Sequence, residues 1–286
     1  MRFAPVLYDL GTAEQKERYL LPMVSGHLQG ASAFSEPQAA GDLAGIQTTL
    51  EKCDDGWVIN GNKCWISYAK QADFILALVR LKGTQRHEGL TWVIVEKGTQ
   101  GFSVGREQKM LHGQSTYEVF FDNCVIPDDR LLGEPGRGWG AGTSFLYKAR
   151  LGIAARSLGI AVRCLALAVE YAKQRQTFGK PLSSRQAVQW MIADSATELH
   201  AARLMVYDAA FRAQRGEEVT QKTAMVKYYA TEMVGRVVDR AVQIHGASGL
   251  SDETILERCY RDVRPMRIYE GSSEAMRSVV ARDLLR

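Results

Sequence analysis

A change of periodicity near Gly140 divides this sequence of 286 residues into two kinds of chain. Ahead of it, from Ala31 to about Asn123, come short apolar runs: "WVINGNKCWIS", "FILALVRL", "LTWVIVEK" and "YEVFFDNCVI". Branched and aromatic side chains suit a pleated surface, so these runs read as strands. Asp55-Gly56 and Asn60-Gly61 are hairpin dipeptides. The spacers are too short for helical crossovers, which predicts an antiparallel sheet or small barrel rather than a βαβ array. Behind Gly140 the strand signal fades. Leu151, Ala154, Leu158, Ala161, Leu165 and Ala168 recur at helical spacing and predict a helix from about Ala141 to Gln174. Further helices are expected over roughly Ser184 to Arg215, from Thr220 to about His245 before Gly246, and from Ser272 to the end. Short connections between such long helices imply an antiparallel bundle. At the front, Thr12 with Gln15 three residues later is a capping-box signature that opens a helix, closed by Gly26 and Gly30. The expected fold class is α+β. Its expected parts are a helical residues 1–30, a β domain over 31–137 and a helical bundle over 138–286.

Composition removes several functions. The net charge of +4 is spread along the chain without a run of five or six like charges, which argues against nucleic acid as the main partner. The five cysteines lie far apart with no CxxC pair, so reduced thiols are expected and no metal site. No membrane span is expected, because no stretch of about 18 consecutive apolar residues occurs. "MRFAPVLYDLGTAEQ" lacks the apolar core of a signal peptide. A cytoplasmic location follows, or the mitochondrial matrix in a eukaryote.

Taken one at a time, the conspicuous motifs are bland. "GEPGRGWG", Gly133 to Gly140, has neither the Lys-Ser/Thr of a P-loop nor GxGxxG spacing, and reads as a flexible turn. "FSEPQAAGDLAG" and "NGNKCWIS" read as turns, with Trp65 in the core. "RQTFGKPL" reads as a helix end closed by Gly179 with Pro181 beyond, and "QIHGASG" as another, with His245 a capping or packing residue. Glu270, beside Gly271 in "RIYEGSSEAMR", reads as a solvated loop carboxylate.

In this order and layout the same stretches closely resemble the acyl-CoA dehydrogenase family. The resemblance rests on Ser35-Glu36-Pro37, Trp65-Ile66-Ser67 after "NG.K", Arg175 to Gly179, the Gln-Ile-x-Gly run at Gln243, and Tyr-Glu-Gly at Glu270. It implies a flavin enzyme that binds FAD and oxidises an acyl-CoA between its α and β carbons to the trans-2-enoyl-CoA. By the same resemblance Ser35, with Phe34 beside it, meets the edge of the isoalloxazine ring. Trp65 covers one flavin face, and Ile66 and Ser67 lie near N5. Arg175, Thr177, Phe178, Gln186, Gln243 and Gly246 match residues reaching the FAD of a neighbouring subunit. Ser272 and Glu274 match further cofactor contacts. Gly41, Tyr147, Arg150 and Gly271 fall at substrate-binding positions.

The resemblance makes Glu270 the catalytic base. A C–H beside a thioester is a very weak acid. A carboxylate desolvated by flavin and acyl chain becomes a stronger base, and preorganised donors hold the developing enolate oxygen. Hydride from the β carbon then passes to flavin N5. Some branches of the family carry the base on the first long helix, where this chain has Ala149. Three places depart from the family: Ala40-Gly41-Asp42 replaces the usual Gly-Ser-Asp, Tyr147 stands where an acid is common, and Glu274 where a glutamine is common. Family members also carry a helical domain ahead of residue 1, so residues 1–30 are expected to be a remnant of it. A homo-oligomer, dimer or tetramer, is implied, with an electron-transferring flavoprotein as acceptor. The alternatives are an acyl-CoA oxidase using oxygen and a non-catalytic flavoprotein or partner subunit.

Overall fold

The computed structural model describes residues 3–285, with side chains for all of these except 141–144. The chain divides into two compact units, Met1–Phe145 and Leu146–Arg286. The division falls inside the first long helix, eight residues beyond the expected start of the bundle.

The first unit opens with a helix the sequence did not announce, α1 (Ala4–Leu10), with a proline in its first turn. Thr12 then builds the expected capping box. Its hydroxyl accepts from Gln15 N at 3.1 Å, and the Gln15 side chain accepts from Thr12 N at 3.0 Å. The helix it starts is α2 (Ala13–Gln15), a π turn over Lys16–Leu20, and α3 (Leu21–Val24). Gln15 donates its amide to the carbonyls of Asp129 and Leu131 at 2.9 and 2.7 Å, and Tyr19 sets its ring against Phe74. The front residues are therefore part of the β unit.

The sheet comprises β1 (Gly30–Ala33), β2 (Thr49–Cys53), β3 (Gly56–Ser67), β4 (Phe74–Leu81), β5 (Leu90–Glu96), β6 (Phe102–Lys109), β7 (Ser115–Ile126) and β8 (Leu131–Leu132). Its order is β6-β7-β3-β2-β4-β5-β8, with β1 also paired to β4. Most pairs are antiparallel, but β1 and β2 both run parallel to β4. The sheet is thus mixed, and among the described residues its ends do not close into a barrel. β4 and β5 are buried along nearly their whole length. Covered on both faces, they read as unbroken apolar runs instead of alternating ones.

Asp54-Asp55 forms the tip of the β2–β3 hairpin, as the Asp-Gly signal predicts. Asn60-Gly61 is not a turn. It lies inside β3 at a register shift against β7, with Gly61 at φ +145° and Thr48 so close that a Cβ would clash. The same dipeptide serves a bulge here because Gly relieves the close approach.

The second unit holds most of α4 (Gly138–Gln174), a two-strand ribbon β9 (Gln176–Thr177) and β10 (Lys180–Pro181), α5 (Gln186–Gln214), α6 (Thr220–His245), α7 (Ile255–Val263) and α8 (Ser273–Leu284). α4 begins three residues before the sequence suggested, and the turn ahead of it is anchored: Gly136 N donates to Thr91 Oγ1 at 2.9 Å. By length and mean hydropathy α4 is apolar enough to cross a membrane, although charges such as Arg156 and Arg163 interrupt its apolar run. Ala154, Ala161, Cys164, Ala168 and Ala172 of this helix are buried in the bundle core with Val226, Ala230, Met233, Val234 and Val237 of α6. Small side chains let these helices approach closely. Gly246, at φ +60°, ends α6 where expected, and Ser272 caps α8 by accepting from Ala275 N.

Candidate active site

The Ser35-Glu36-Pro37 stretch of the first unit sits where the β4 edge is interrupted. β1 pairs with β4 as far as Ala33–Ala77, and β2 resumes at Thr49–Arg80. Residues 34–48 loop out between, carrying Ser35-Glu36-Pro37. The gap leaves the Leu78 carbonyl without a ladder partner, and Lys63 of β3 supplies one at 2.5 Å. The same ammonium donates to the Phe34 carbonyl at 3.2 Å and pairs with Glu36 at 2.8 Å, both side chains essentially buried. Glu36 also accepts from Gln47 N and Thr48 N at 2.6 and 3.0 Å and from the Gln38 amide at 2.7 Å. Burial pushes its carboxyl up, but the Lys63 charge and these donors outweigh that and hold it below the usual carboxylate range. A buried charge is tolerable only when paired and fully hydrogen-bonded, and this one is.

Ser35 is tied to β3 by its carbonyl, which accepts from Cys64 N at 2.9 Å. Immediately after, β3 shifts register a second time: Lys63 and Ile66 pair with Val119 and Tyr117, so two residues oppose one. Trp65 lies in this bulge at φ +61°, a left-handed conformation costly for a bulky residue. A bulge re-aims a side chain, and the indole is 51% exposed. Trp65 is therefore not a core residue, as its composition alone suggests. Ile66 is: its side chain is buried, leaving only its main chain to meet a ligand. Ser35 and Ser67 are half-buried, and Gly41 is exposed with open space around it. Phe34 packs edge-on to Trp92 at 5.0 Å and stacks on Phe145, which makes it a support.

In the second unit "RQTFGKPL" is not a helix end. α4 stops at Gln174, and Thr177 pairs with Lys180 around Phe178-Gly179, at φ +50° and +72°. That is the positive-φ pair of a tight hairpin turn. It leaves Phe178 98% exposed, with the Arg185 guanidinium over its ring and Arg185 donating to the Thr177 carbonyl at 2.6 Å. Arg175, Gln186, Gln243 and Gly246 are also exposed. His245 packs, its ring stacked on Tyr171.

Glu270 lies half-buried between the last two helices, at φ +55°, followed by Gly271 at φ +94°. Two cations hold this turn. Arg150 of α4 donates from Nε to the Glu270 carbonyl at 3.3 Å, and Lys227 of α6 donates to the Gly271 carbonyl at 2.6 Å. Lys227 is fully buried. Burial holds its ammonium down to about 8; the Arg150 charge adds to this, while Glu270, Glu232 and Glu274 oppose it. Burial likewise lowers Arg150, against the pull of Glu270. Tyr147 is half-buried on α4, one turn before Arg150. Ser272 is half-buried with its hydroxyl used in the cap, and Glu274 is exposed in the first turn of α8. Sequence reasoning missed Lys63 and Lys227. Each is a lysine in an apolar stretch ("NGNKCWI", "TAMVKYYA"), the one visible signal that a cation is buried for a purpose.

Residues 31–124 match the family model for the acyl-CoA dehydrogenase middle domain, and residues 136–285 the one for the C-terminal domain. The chain belongs to the acyl-CoA dehydrogenase family. It is 39% identical over 284 residues to acryloyl-CoA reductase (NADH) of Anaerotignum propionicum, covering 98% of this chain and 72% of that one. It is 37% identical over 278 residues to the caffeyl-CoA reductase–Etf complex subunit CarC of Acetobacterium woodii, covering 96% and 73%. Among solved structures, butyryl-CoA dehydrogenase of Megasphaera elsdenii superposes with a TM-score of 0.93 at 38% identity, over 99% of this chain and 75% of that one. The FAD complex of PigA superposes at 0.94 with 30% identity, over 98% and 74%. The protein is thus an FAD-dependent oxidoreductase of the acyl-CoA dehydrogenase class. The outward indole and the flanking serine hydroxyls of the first unit suit a flavin ring.

Proposed function

We propose that this chain catalyses the α,β-dehydrogenation of an acyl-CoA thioester to the trans-2-enoyl-CoA, with Glu270 removing the α proton. The observation that carries the reading is the left-handed Glu270-Gly271 turn, whose two carbonyls are held by Arg150 and Lys227. A strained backbone fixed from two helices is what a base needs in order to face one carbon of a substrate. Gly271 permits the turn without a Cβ penalty. Ala149 offers only a methyl group at the family's other base position. The N–H of Glu270 is the donor proposed for the enolate oxygen. Ser35, Trp65 and Ser67 hold the ring side of the cofactor, and bound FAD supplies the hydride acceptor. Arg175, Thr177, Phe178, Gln186, Gln243 and Gly246, mostly exposed, reach the cofactor of a second copy in a dimer or tetramer. Electrons leave to an electron-transferring flavoprotein, a reading supported by the CarC relative. The same residues serve enoyl-CoA reduction in reverse, the direction named for the Anaerotignum propionicum relative, because a proton acceptor in one direction is the donor in the other.

The test is anaerobic reduction of the flavin by a panel of acyl-CoAs. Glu270→Gln keeps shape and loses the acceptor, so it should bind FAD and acyl-CoA yet bleach slower by about two to four orders of magnitude. Bleaching at the wild-type rate removes Glu270 from the role.

A further inference from the structure

The Lys227 ammonium is out of water, and burial alone makes it an unfavourable choice for stability. An apolar residue of similar length would fill its place without that cost. What the lysine does instead is donate, at 2.6 Å, to the carbonyl of Gly271. The Glu270 carbonyl, one peptide earlier, is taken by Arg150. Two successive peptide planes are thereby gripped from opposite sides of the sequence, α4 and α6, and the left-handed φ values at 270 and 271 are held in place.

The charges around Lys227 are those of the reaction centre. Arg150 faces it from α4, Glu270 from the turn, Glu274 from α8 and Glu232 from its own helix. Glu232 is itself occupied, accepting from Ser273 Oγ at 2.6 Å and pairing with Arg267 at 3.3 Å. Glu274 is exposed, where solvent screens it. Of the three carboxylates, Glu270 does most to favour the charged form of the Lys227 ammonium, ahead of Glu232 and Glu274.

We propose that Lys227 is a positioning residue for proton transfer at Glu270: with Arg150 it clamps the Glu270-Gly271 main chain, and its positive charge favours the ionised carboxylate that accepts the proton. This rests on Glu270 being the base. The clamp sets the direction of the carboxylate and of the Glu270 N–H together, since both hang on the same constrained turn. A misplacement of about 1 Å costs on the order of 10²-fold in a proximity-dependent step. The charge acts separately, on the pH at which the base becomes competent.

The experiment uses the FAD-loaded protein. Lys227→Met, Lys227→Arg and Glu270→Gln are each mixed anaerobically with butyryl-CoA, and the bleaching rate is followed from pH 5.5 to 9. Binding is followed separately by the spectral shift with crotonyl-CoA. Lys227→Met should bind crotonyl-CoA within about 3-fold of wild type yet bleach about 10- to 100-fold slower. Its acid limb should move to higher pH by about half a unit or more, because a nearby cation is gone. Lys227→Arg, which keeps the charge, should restore most of the rate and return the limb. A Lys227→Met protein with wild-type rate and limb overturns the proposal. So does one whose binding falls as far as its rate, the mark of a general structural fault. If Lys227→Met does not yield folded protein, Lys227→Gln carries the same expectations. Normal bleaching by Glu270→Gln would instead remove the reading beneath it, so the two failures are distinguishable.

Discussion

Replacing Lys63 with methionine is the sharpest test of how the Ser35-Glu36-Pro37 turn is built. The substitution keeps length and apolar bulk but removes the cation from a site with no exposure. Three acceptors lose their donor together: the Leu78 and Phe34 carbonyls and one Glu36 oxygen. Glu36 keeps Gln47 N, Thr48 N and the Gln38 amide, so its charge is not abandoned outright. Breaking a buried pair from one side costs about 3–5 kcal/mol. We expect Lys63→Met to fall in that range in a urea melt followed by tryptophan fluorescence. The double variant Lys63→Met/Glu36→Gln should recover at least about 1–2 kcal/mol, since no buried charge is then left unpaired. The pH dependence has a definite sign. Glu36 is held below its ordinary value, so its contribution is present at neutral pH and is lost as pH falls through the folded-state value. Without Lys63 that loss should begin at higher pH. FAD affinity should drop too, because Ser35 hangs on the loosened turn. A Lys63→Met protein within about 1 kcal/mol of wild type, with unchanged acid stability, refutes the reasoning.

Trp65→Gly should leave the apoprotein as stable as wild type, or more so by about 1 kcal/mol, because glycine carries no penalty at φ +61°. The same change should weaken FAD binding in a fluorescence titration, and unaltered affinity would separate Trp65 from the flavin. Arg175→Ala should release FAD and lower the oligomeric state together on dilution, seen by sedimentation with flavin absorbance, since a cofactor bridging two chains links the equilibria. A monomer retaining stoichiometric FAD would count against a shared site.

Local signals in the sequence translated well into structure. The Thr12–Gln15 box, Gly246 and the Ser272 cap act within one turn of chain, and each ends or starts a helix as expected. Asn60-Gly61 misled because its meaning depends on β7, which follows some fifty residues later. "RQTFGKPL" misled because a glycine closing a helix and a glycine in a tight hairpin look alike until Thr177 meets Lys180. The parallel pairing of β1 and β2 with β4 leaves no local trace, so the sheet's mixed character was invisible. At the candidate site, family resemblance singles out the motif residues but not the residues that support them. Lys63 and Glu36 are 27 residues apart, and Lys227 and Gly271 are 44 apart. Their pairing is a product of topology.

The interrupted edge of β4 has a consequence for how this scaffold can vary. Residues 34–48 leave the strand beside Ala77 and rejoin it beside Arg80, so the two ends of the loop are pinned almost side by side. Closure entropy grows only with the logarithm of length, about 0.6 kcal/mol per doubling. Residues could be added at the exposed positions 40–42, between the Phe34–Glu36 stretch that Lys63 holds and the Ala44 and Ile46 carbonyls that accept from Arg80. Ser35 would stay on its hydrogen bond to Cys64 while the remainder of the loop changed length or composition. The arrangement uncouples the Ser35-Glu36-Pro37 turn from the segment beyond it, leaving that segment open to diversification at little thermodynamic penalty.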